Sequence, residues 1–101
     1  DIGWAEVRDR DRLAQAGYFF AVVHTDGRGG LAGPPQLSTR GFVNEKEAAE
    51  LLQEAEVLIL RTAAEAQREG KPIGAAAIEG ALNRFLYDET RKRPVIEVVV
   101  V

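Results

Sequence analysis

The stretch FLYDETRKRPVIEVVVV, residues 85–101, decides the fold because it contains a helix end, a stop and a strand. Phe85 and Leu86 close an apolar helical stripe, and the basic residues 91–93 follow it. Pro94 prevents the helix from continuing. Residues 95–101 are almost wholly β-branched, with Glu97 as their only charge, which predicts a final strand. The domain therefore mixes helix and strand.

Two amphipathic helices are predicted before this strand. The second follows Lys71-Pro72, and its apolar stripe is interrupted by Gly80 at a cost of about 1 kcal/mol relative to alanine, which suggests close helix packing there. The first helix begins at Asn44, whose side chain can cap the first turn, and ends at Gly70. Apolar residues recur at three- and four-residue spacing along both helices.

Two strands are predicted in the first half of the chain. Tyr18 to Thr25 is aromatic and β-branched on both alternating faces, so it should be covered on both sides or lie centrally in a sheet. Asp26-Gly27 begins a glycine- and proline-rich loop, and a second strand is expected from Gln36 to Val43. The two should pair antiparallel. Whether the last strand lies beside the first or the second stays open.

The predicted fold is a single α+β domain. A lead-in with a short helix occupies residues 1–17, and residues 18–101 form a small three-stranded sheet packed against two α-helices in the order β-β-α-α-β. If both helices cover one face of the sheet, the other face needs a partner. The apolar candidates for that uncovered face are Tyr18, Phe20, Val22, Val99 and Val101.

Composition limits the function classes. The 101 residues are 46% hydrophobic and 29% charged, and there is no cysteine, which excludes disulfides and thiolate chemistry and fits a cytoplasmic protein. The longest apolar runs are too short to span a bilayer, so no membrane partner is expected. A net charge of −3 does not favour nucleic acid over the whole surface. A start at Asp1 without methionine suggests a fragment of a longer chain.

No catalytic or metal-binding constellation is predicted. His24 is the only histidine and Ser38 the only serine, and neither lies in a zinc or nucleophile motif. The carboxylates of the first helix read as a solvated face. The loop from Gly27 to Gly33 lacks the lysine-serine/threonine ending of a phosphate-binding loop. We therefore expect no enzyme activity and no cofactor in this chain alone.

Two groups of residues remain as candidates for binding. Arg91, Lys92 and Arg93, with Tyr87 one turn earlier, could contact RNA by neutralising phosphates and stacking a base. The alternative, favoured by the negative net charge, is that they complement the negative end of the second helix. Arg40 lies in an apolar strand before Gly41 and Phe42. Because a charged side chain there must reach water or find a partner, we expect either a surface arginine or a fixed ion pair within the domain or across an interface.

Three stretches together resemble the C-terminal domain of ribonuclease J. They are Val7-Arg8-Asp9-Arg10 with Leu13 and Gly17-Tyr18-Phe19, then Gly33-Pro34 with Ser38 to Val43 and Glu45, and the closing segment from Phe85 to Ile96. Thr39 stands where this family usually has serine, and the lead-in after Ile2-Gly3 differs. The resemblance covers nearly the whole chain.

The resemblance implies an accessory domain that supports oligomerisation and activity of a larger enzyme. The intact enzyme would be a zinc-dependent hydrolase with a metallo-β-lactamase core and a β-CASP domain, which processes and degrades RNA as a 5′–3′ exonuclease and an endonuclease. Its zinc ligands lie in the catalytic part, so no catalytic or metal residue is carried over. The implied partners are the enzyme's own catalytic domains, a second copy in a homodimer or tetramer, and RNA through the intact enzyme. The Arg91–Arg93 cluster as an RNA-contacting module is the alternative function.

Overall fold

The computed structural model describes residues 17–101 and shows the α+β arrangement that the sequence predicts. Its elements are β1 (Tyr18–Val23), β2 (Gln36–Arg40), α1 (Glu45–Arg68), α2 (Ala75–Thr90) and β3 (Val95–Val100). The predicted order β-β-α-α-β is confirmed. The lead-in helix predicted within residues 1–17 falls on residues 1–16, outside the described part of the chain, so that domain boundary stays a prediction.

The sheet is mixed, with the order β2-β1-β3. β1 pairs antiparallel with β2, as the loop between them predicts, and parallel with β3. β1 is therefore the central strand, which accounts for its apolar residues on both faces. The order also settles the position of β3, which the sequence left open.

Both helices pack on one face of the sheet, here called the helix face. Phe19, Ala21 and Val23 of β1 point to this face and are buried. Their neighbours in register carry Leu37 of β2 and Val98 of β3 to the same side. The buried hydrophobic core consists of Phe19, Ala21, Val23, Phe42, Leu51, Ala55, Ile59, Ala63, Ile73, Ile78, Leu82, Leu86 and Val98.

The ends of α1 follow their predicted signals. The side chain of Asn44 accepts a hydrogen bond from the Glu47 backbone N–H at 2.8 Å, which satisfies one free amide of the first turn. The helix ends at Arg68, and Gly70 adopts a left-handed conformation with φ of 69°. Gly70 therefore ends the helix in the way its position predicts.

Three predicted boundaries were wrong by two or three residues. β1 ends at Val23 rather than Thr25. β2 ends at Arg40 rather than Val43 because Gly41 turns the chain with φ of 89°. α2 begins at Ala75, after the extended Gly74, although Ile73 is still buried in the core. No helix in residues 17–101 is both long and apolar enough to cross a membrane.

Candidate interaction surface

The second face of the sheet, here called the outer face, carries the side chains that alternate with the core. It is formed by Tyr18, Phe20 and Val22 of β1, by Gln36, Ser38 and Arg40 of β2, and by Val95, Glu97 and Val99 of β3. Val101 continues this face beyond β3, where its amide donates to the Val23 carbonyl at 2.8 Å. The predicted set Tyr18, Phe20, Val22, Val99 and Val101 thus lies on one surface.

The apolar part of the outer face is exposed within the described residues. Phe20 retains 37% of its accessible surface, Val99 43% and Val101 58%. The Tyr18 and Phe20 rings lie 4.6 Å apart, centroid to centroid. No element of residues 17–101 packs on this face, because both helices lie on the other side. A connected apolar patch of this kind on a small domain marks an interaction surface.

Polar side chains border the apolar patch. Arg40 lies opposite Tyr18, Ser38 opposite Phe20, and Glu97 is beside Phe20 on the other flank. Among residues 17–101, no carboxylate lies within ion-pair distance of Arg40, which is exposed at the edge of the patch. An apolar centre with a polar border is the composition of protein–protein interfaces.

Gly41 and Phe42, predicted with Arg40 as interface or structural residues, contact other parts of the domain. A Cβ on Gly41 would lie 2.9 Å from the Gly17 Cα, so the start of β1 and the end of β2 meet backbone to backbone. Phe42 is 4% exposed and belongs to the core. Gly41 and Phe42 therefore hold the end of β2 against the start of β1 and against the core, and so support the sheet that carries the outer face.

The basic cluster divides into two parts. The Arg93 and Arg91 guanidinium carbons lie 4.4 Å and 5.4 Å from the centroid of the Tyr87 ring, in cation–π contact. Lys92 points elsewhere, and its Nζ donates to the Phe42 carbonyl at 2.8 Å. The structure therefore brings Arg91, Arg93 and Tyr87 together and uses Lys92 to hold the end of β2 against the end of α2.

Sequence reasoning missed Arg84 and was wrong about Gly80. Arg84 lines a shallow groove with Tyr87 and Arg93, one helical turn before Tyr87, and its three-residue spacing from Tyr87 was a usable signal. In the part of the chain that the structure describes, no atom lies within 4 Å of the position that a Cβ on Gly80 would take. The close helix packing expected at Gly80 is thus absent within residues 17–101, and no sequence signal could have shown that.

The described residues offer no metal site. No group of three His, Asp or Glu side chains in residues 17–101 comes together as a metal would require. His24 instead lies on the outer side of the sheet, with its Nε2 3.3 Å from the Gln36 Oε1. The zinc that the resemblance implies does not fit this part of the chain.

Comparison with known proteins gives the family. Residues 5–101 match the model of the ribonuclease J C-terminal domain. Over 105 aligned residues the chain is 35% identical to proteins named ribonuclease J 2 from Staphylococcus epidermidis and Staphylococcus aureus. The alignment covers 99% of this chain but 19% of each relative, so the chain spans about a fifth of their length. The chain belongs to the ribonuclease J C-terminal domain family.

Proposed function

We propose that this chain is the accessory domain of a larger RNA-degrading enzyme and supports its oligomerisation and activity through the outer face. The observation that carries the proposal is the apolar patch around Phe20 and Val99, which no part of residues 17–101 covers. Family membership adds that the domain works within a longer chain. The occupant of the face is the enzyme's own catalytic part, a second copy, or both.

The chemistry of the intact protein belongs to the same proposal. We infer a zinc-dependent hydrolase of the metallo-β-lactamase type in the cytoplasm, which cuts RNA internally and degrades it from the 5′ end. When bound, zinc would activate water for attack on the phosphodiester. The described residues supply no ligand to it. Their part is to position the catalytic domains through a rigid sheet face.

The test is the replacement of Phe20 by lysine in the full-length enzyme. Phe20 lies opposite Glu97 in the β1–β3 register, so Phe20→Lys places a cation beside an anion and keeps the isolated domain folded. The same cation must be desolvated when the face is covered. We expect smaller assemblies in sedimentation and slower RNA degradation. Val57→Lys, at a 54% exposed position on α1, is the matched control.

The outcomes separate the proposal from its rivals. Loss of assembly and activity with Phe20→Lys but not with Val57→Lys supports the outer face as the assembly surface. Unchanged sedimentation and unchanged RNA degradation with Phe20→Lys would overturn the proposal. Circular dichroism of both variants checks that the domain is folded.

A second candidate function is RNA contact through Arg91, Lys92, Arg93 and Tyr87. The observation in its favour is that two guanidinium groups stack on Tyr87, with Arg84 beside them in the same groove. Arg91 also holds a left-handed conformation, φ 57°, at a helix end where glycine is more common. A cluster of three arginines can neutralise successive phosphates.

Reversing the charge of Arg84, Arg91 and Arg93 together tests RNA contact. Lys92 is left in place because it binds the Phe42 carbonyl. If RNA is bound here, its affinity for the full-length enzyme falls and depends less steeply on salt. Reversal of Arg61 and Arg68 on α1 is the control. Unchanged RNA affinity in the triple variant would refute this second function.

A further inference from the structure

The outer edge of β3 presents backbone groups that pair with no other strand of residues 17–101. The Val95 amide donates to the Gly17 carbonyl at 3.0 Å, and the Val101 amide donates to the Val23 carbonyl at 2.8 Å. In a parallel pair, the residues that bond to the neighbour alternate with residues that point away. The N–H and C=O groups of Ile96, Val98 and Val100 therefore point outward, where residues 17–101 provide no partner strand.

This edge lacks the usual protection against pairing. Exposed edge strands normally carry charges, a proline or a bulge that prevent another strand from adding to them. Residues 95–101 carry one charge, Glu97, whose side chain points to the outer face and not across the edge. Pro94 lies before the strand begins. The edge is therefore a suitable template for one more strand.

A groove accompanies the edge on the helix face. It has a volume of about 440 Å³ and lies between α2 and the start of β3, and it is lined by Ala76, Glu79, Gly80, Asn83, Pro94, Val95 and Ile96. Gly80 costs the helix about 1 kcal/mol relative to alanine. Because nothing approaches its missing side chain, that cost has no explanation within residues 17–101.

We propose that β3 pairs antiparallel with β3 of a second copy of this chain, about a two-fold axis at Val98, to form a continuous six-stranded sheet. This rests on the proposed function and names the partner at one surface. The outward-pointing residues are symmetric about Val98, so Ile96 faces Val100 of the second copy, and Val98 faces its counterpart. Each of these pairs can exchange both of its backbone hydrogen bonds.

Charge favours this register over its neighbours. With the axis at Val98, each Glu97 lies opposite Val99 of the second copy. An axis at Glu97 would set two carboxylates directly opposite each other and would place Val100 opposite Pro94 of the second copy, which has no amide hydrogen. An axis at Ile96 would bring Pro94, which has no amide hydrogen, into the pairing. Of these three registers, only the one with its axis at Val98 pairs Ile96, Val98 and Val100 with one another and keeps the two carboxylates apart.

The groove and Gly80 fit the same arrangement. The added strand continues the sheet beneath the side of α2 that carries Ala76 and Gly80. Val100 of the second copy then lies beside Ile96, in the groove. The absence of a side chain at Gly80 leaves room for this close approach, which accounts for a glycine in the middle of a helix.

The first test is amide hydrogen exchange of the 101-residue chain across a range of concentrations, together with sedimentation equilibrium. We expect a dimer in which the amides of Ile96, Val98 and Val100 become protected as concentration rises. The amides of Glu97 and Val99, which face β1, should be protected at all concentrations. A monomer at millimolar concentration would overturn the inference. So would concentration-independent protection at Ile96, Val98 and Val100, which would indicate that another segment of the same chain covers the edge.

Two variants with matched controls complete the test. Ile96→Pro removes one backbone N–H from the outer edge of β3. Its control, Leu37→Pro, removes one backbone N–H from the opposite edge of the sheet, on β2. Gly80→Gln fills the groove while improving helix propensity, and Ala64→Gln places the same side chain at an exposed position of α1. We expect Ile96→Pro and Gly80→Gln to weaken the dimer at least about tenfold. Gly80→Gln should also raise the thermal stability of the monomer, whereas a glycine needed by the monomer itself would lower it.

The results distinguish this inference from the proposed function. A dimer that survives Ile96→Pro and Gly80→Gln but dissociates with Phe20→Lys would overturn the β3 pairing and leave the outer face as the contact. A dimer lost with Ile96→Pro and Gly80→Gln but kept with both controls supports the pairing. A monomeric chain whose Phe20→Lys variant still impairs the full-length enzyme would refute the pairing alone.

Discussion

Gly17 and Gly41 meet where β1 begins and β2 has ended. A Cβ on Gly17 would lie 2.4 Å from the Arg40 carbonyl oxygen and 3.0 Å from the Phe42 nitrogen. Both are backbone atoms, which cannot move without separating the strands. Gly17 also holds φ of 78°. Glycine is therefore required at position 17 for two reasons: its backbone is left-handed, and a side chain would collide with the backbone around Gly41.

We expect Gly17→Ala to destabilise the domain by more than the ~1–2 kcal/mol that a left-handed conformation costs an alanine. Gly27→Ala is the matched control, because Gly27 has nearly the same φ, 77°, but no atom of residues 17–101 lies within 4 Å of its Cβ position. Urea unfolding measures both. Equal losses in the two variants would show that the contact between Gly17 and Gly41 has no energetic weight.

Asp26 organises the loop after β1. Its Oδ1 accepts hydrogen bonds from the backbone N–H groups of Arg28, at 2.7 Å, and Gly30, at 3.1 Å. These two bonds, that to Arg28 first, lower the pKa of the Asp26 carboxyl below its ordinary value. Because the folded-state pKa is depressed, the loop is stabilised above the unfolded-state pKa, and this contribution is lost as pH falls through the lowered pKa.

A carboxyl titration by NMR checks this prediction. The Asp26 resonance should titrate below an aspartate in the urea-unfolded chain, and the Arg28 and Gly30 amide shifts should move with the same midpoint. Asp26→Asn keeps an accepting oxygen and should preserve the loop without the titration. A midpoint for Asp26 equal to that in the unfolded chain would contradict the role given to the two amides.

At the scale of elements, the start of α1 depends on one side chain. The Asn44 side chain accepts a hydrogen bond from the Glu47 backbone N–H. Glu45 and Glu47 lie in the first turn, at the positive end of the helix dipole. Asn44→Ala should cost about 1 kcal/mol of unfolding free energy. Asn44→Asp should cost less, since aspartate also caps. Denaturant unfolding of the two variants tests this, and equal stability of Asn44→Ala and the native chain would contradict it.

The link between α2 and β3 shows how one element positions another. Residues 91–93 close α2, and Lys92 reaches back to the Phe42 carbonyl while Arg91 and Arg93 contact Tyr87. The sequence showed three consecutive basic residues, and the prediction from it assigned all three side chains to one binding cluster. Two roles arise because successive side chains leave a non-helical backbone in different directions. Such directions depend on the turn at Arg91, which only the structure shows.

At the scale of the whole molecule, stability depends on the core that residues 17–101 form between the sheet and the two helices. Leu82 is fully buried at its centre, whereas Leu60 is 40% exposed on α1. Leu82→Ala should cost about 2–5 kcal/mol, because it removes buried area and leaves a cavity. Leu60→Ala should cost far less. Calorimetric unfolding compares them, and similar losses would mean that the core extends to the surface of α1.

The amino-acid sequence alone determined which segments are helix and which are strand, the cap at Asn44, the stop at Gly70 and the family to which the chain belongs. These depend on short-range signals: side-chain periodicity, capping chemistry and proline, all read within a few residues. The alternation in Tyr18–Val23 also showed which side chains of β1 share a face, because a strand presents every second side chain to the same side whichever strands pair with it.

Only the tertiary structure decided that β3 lies parallel to β1, that no strand of residues 17–101 lies beyond β3, and that no atom of those residues approaches the Cβ position of Gly80. These facts depend on contacts between residues far apart in the chain, such as Val95 with Gly17 and Lys92 with Phe42. The sequence of Val95–Val100 predicts a strand equally well at either edge of the sheet or at its centre. Its place is set by which helix covers which strands, and local sequence does not encode that packing.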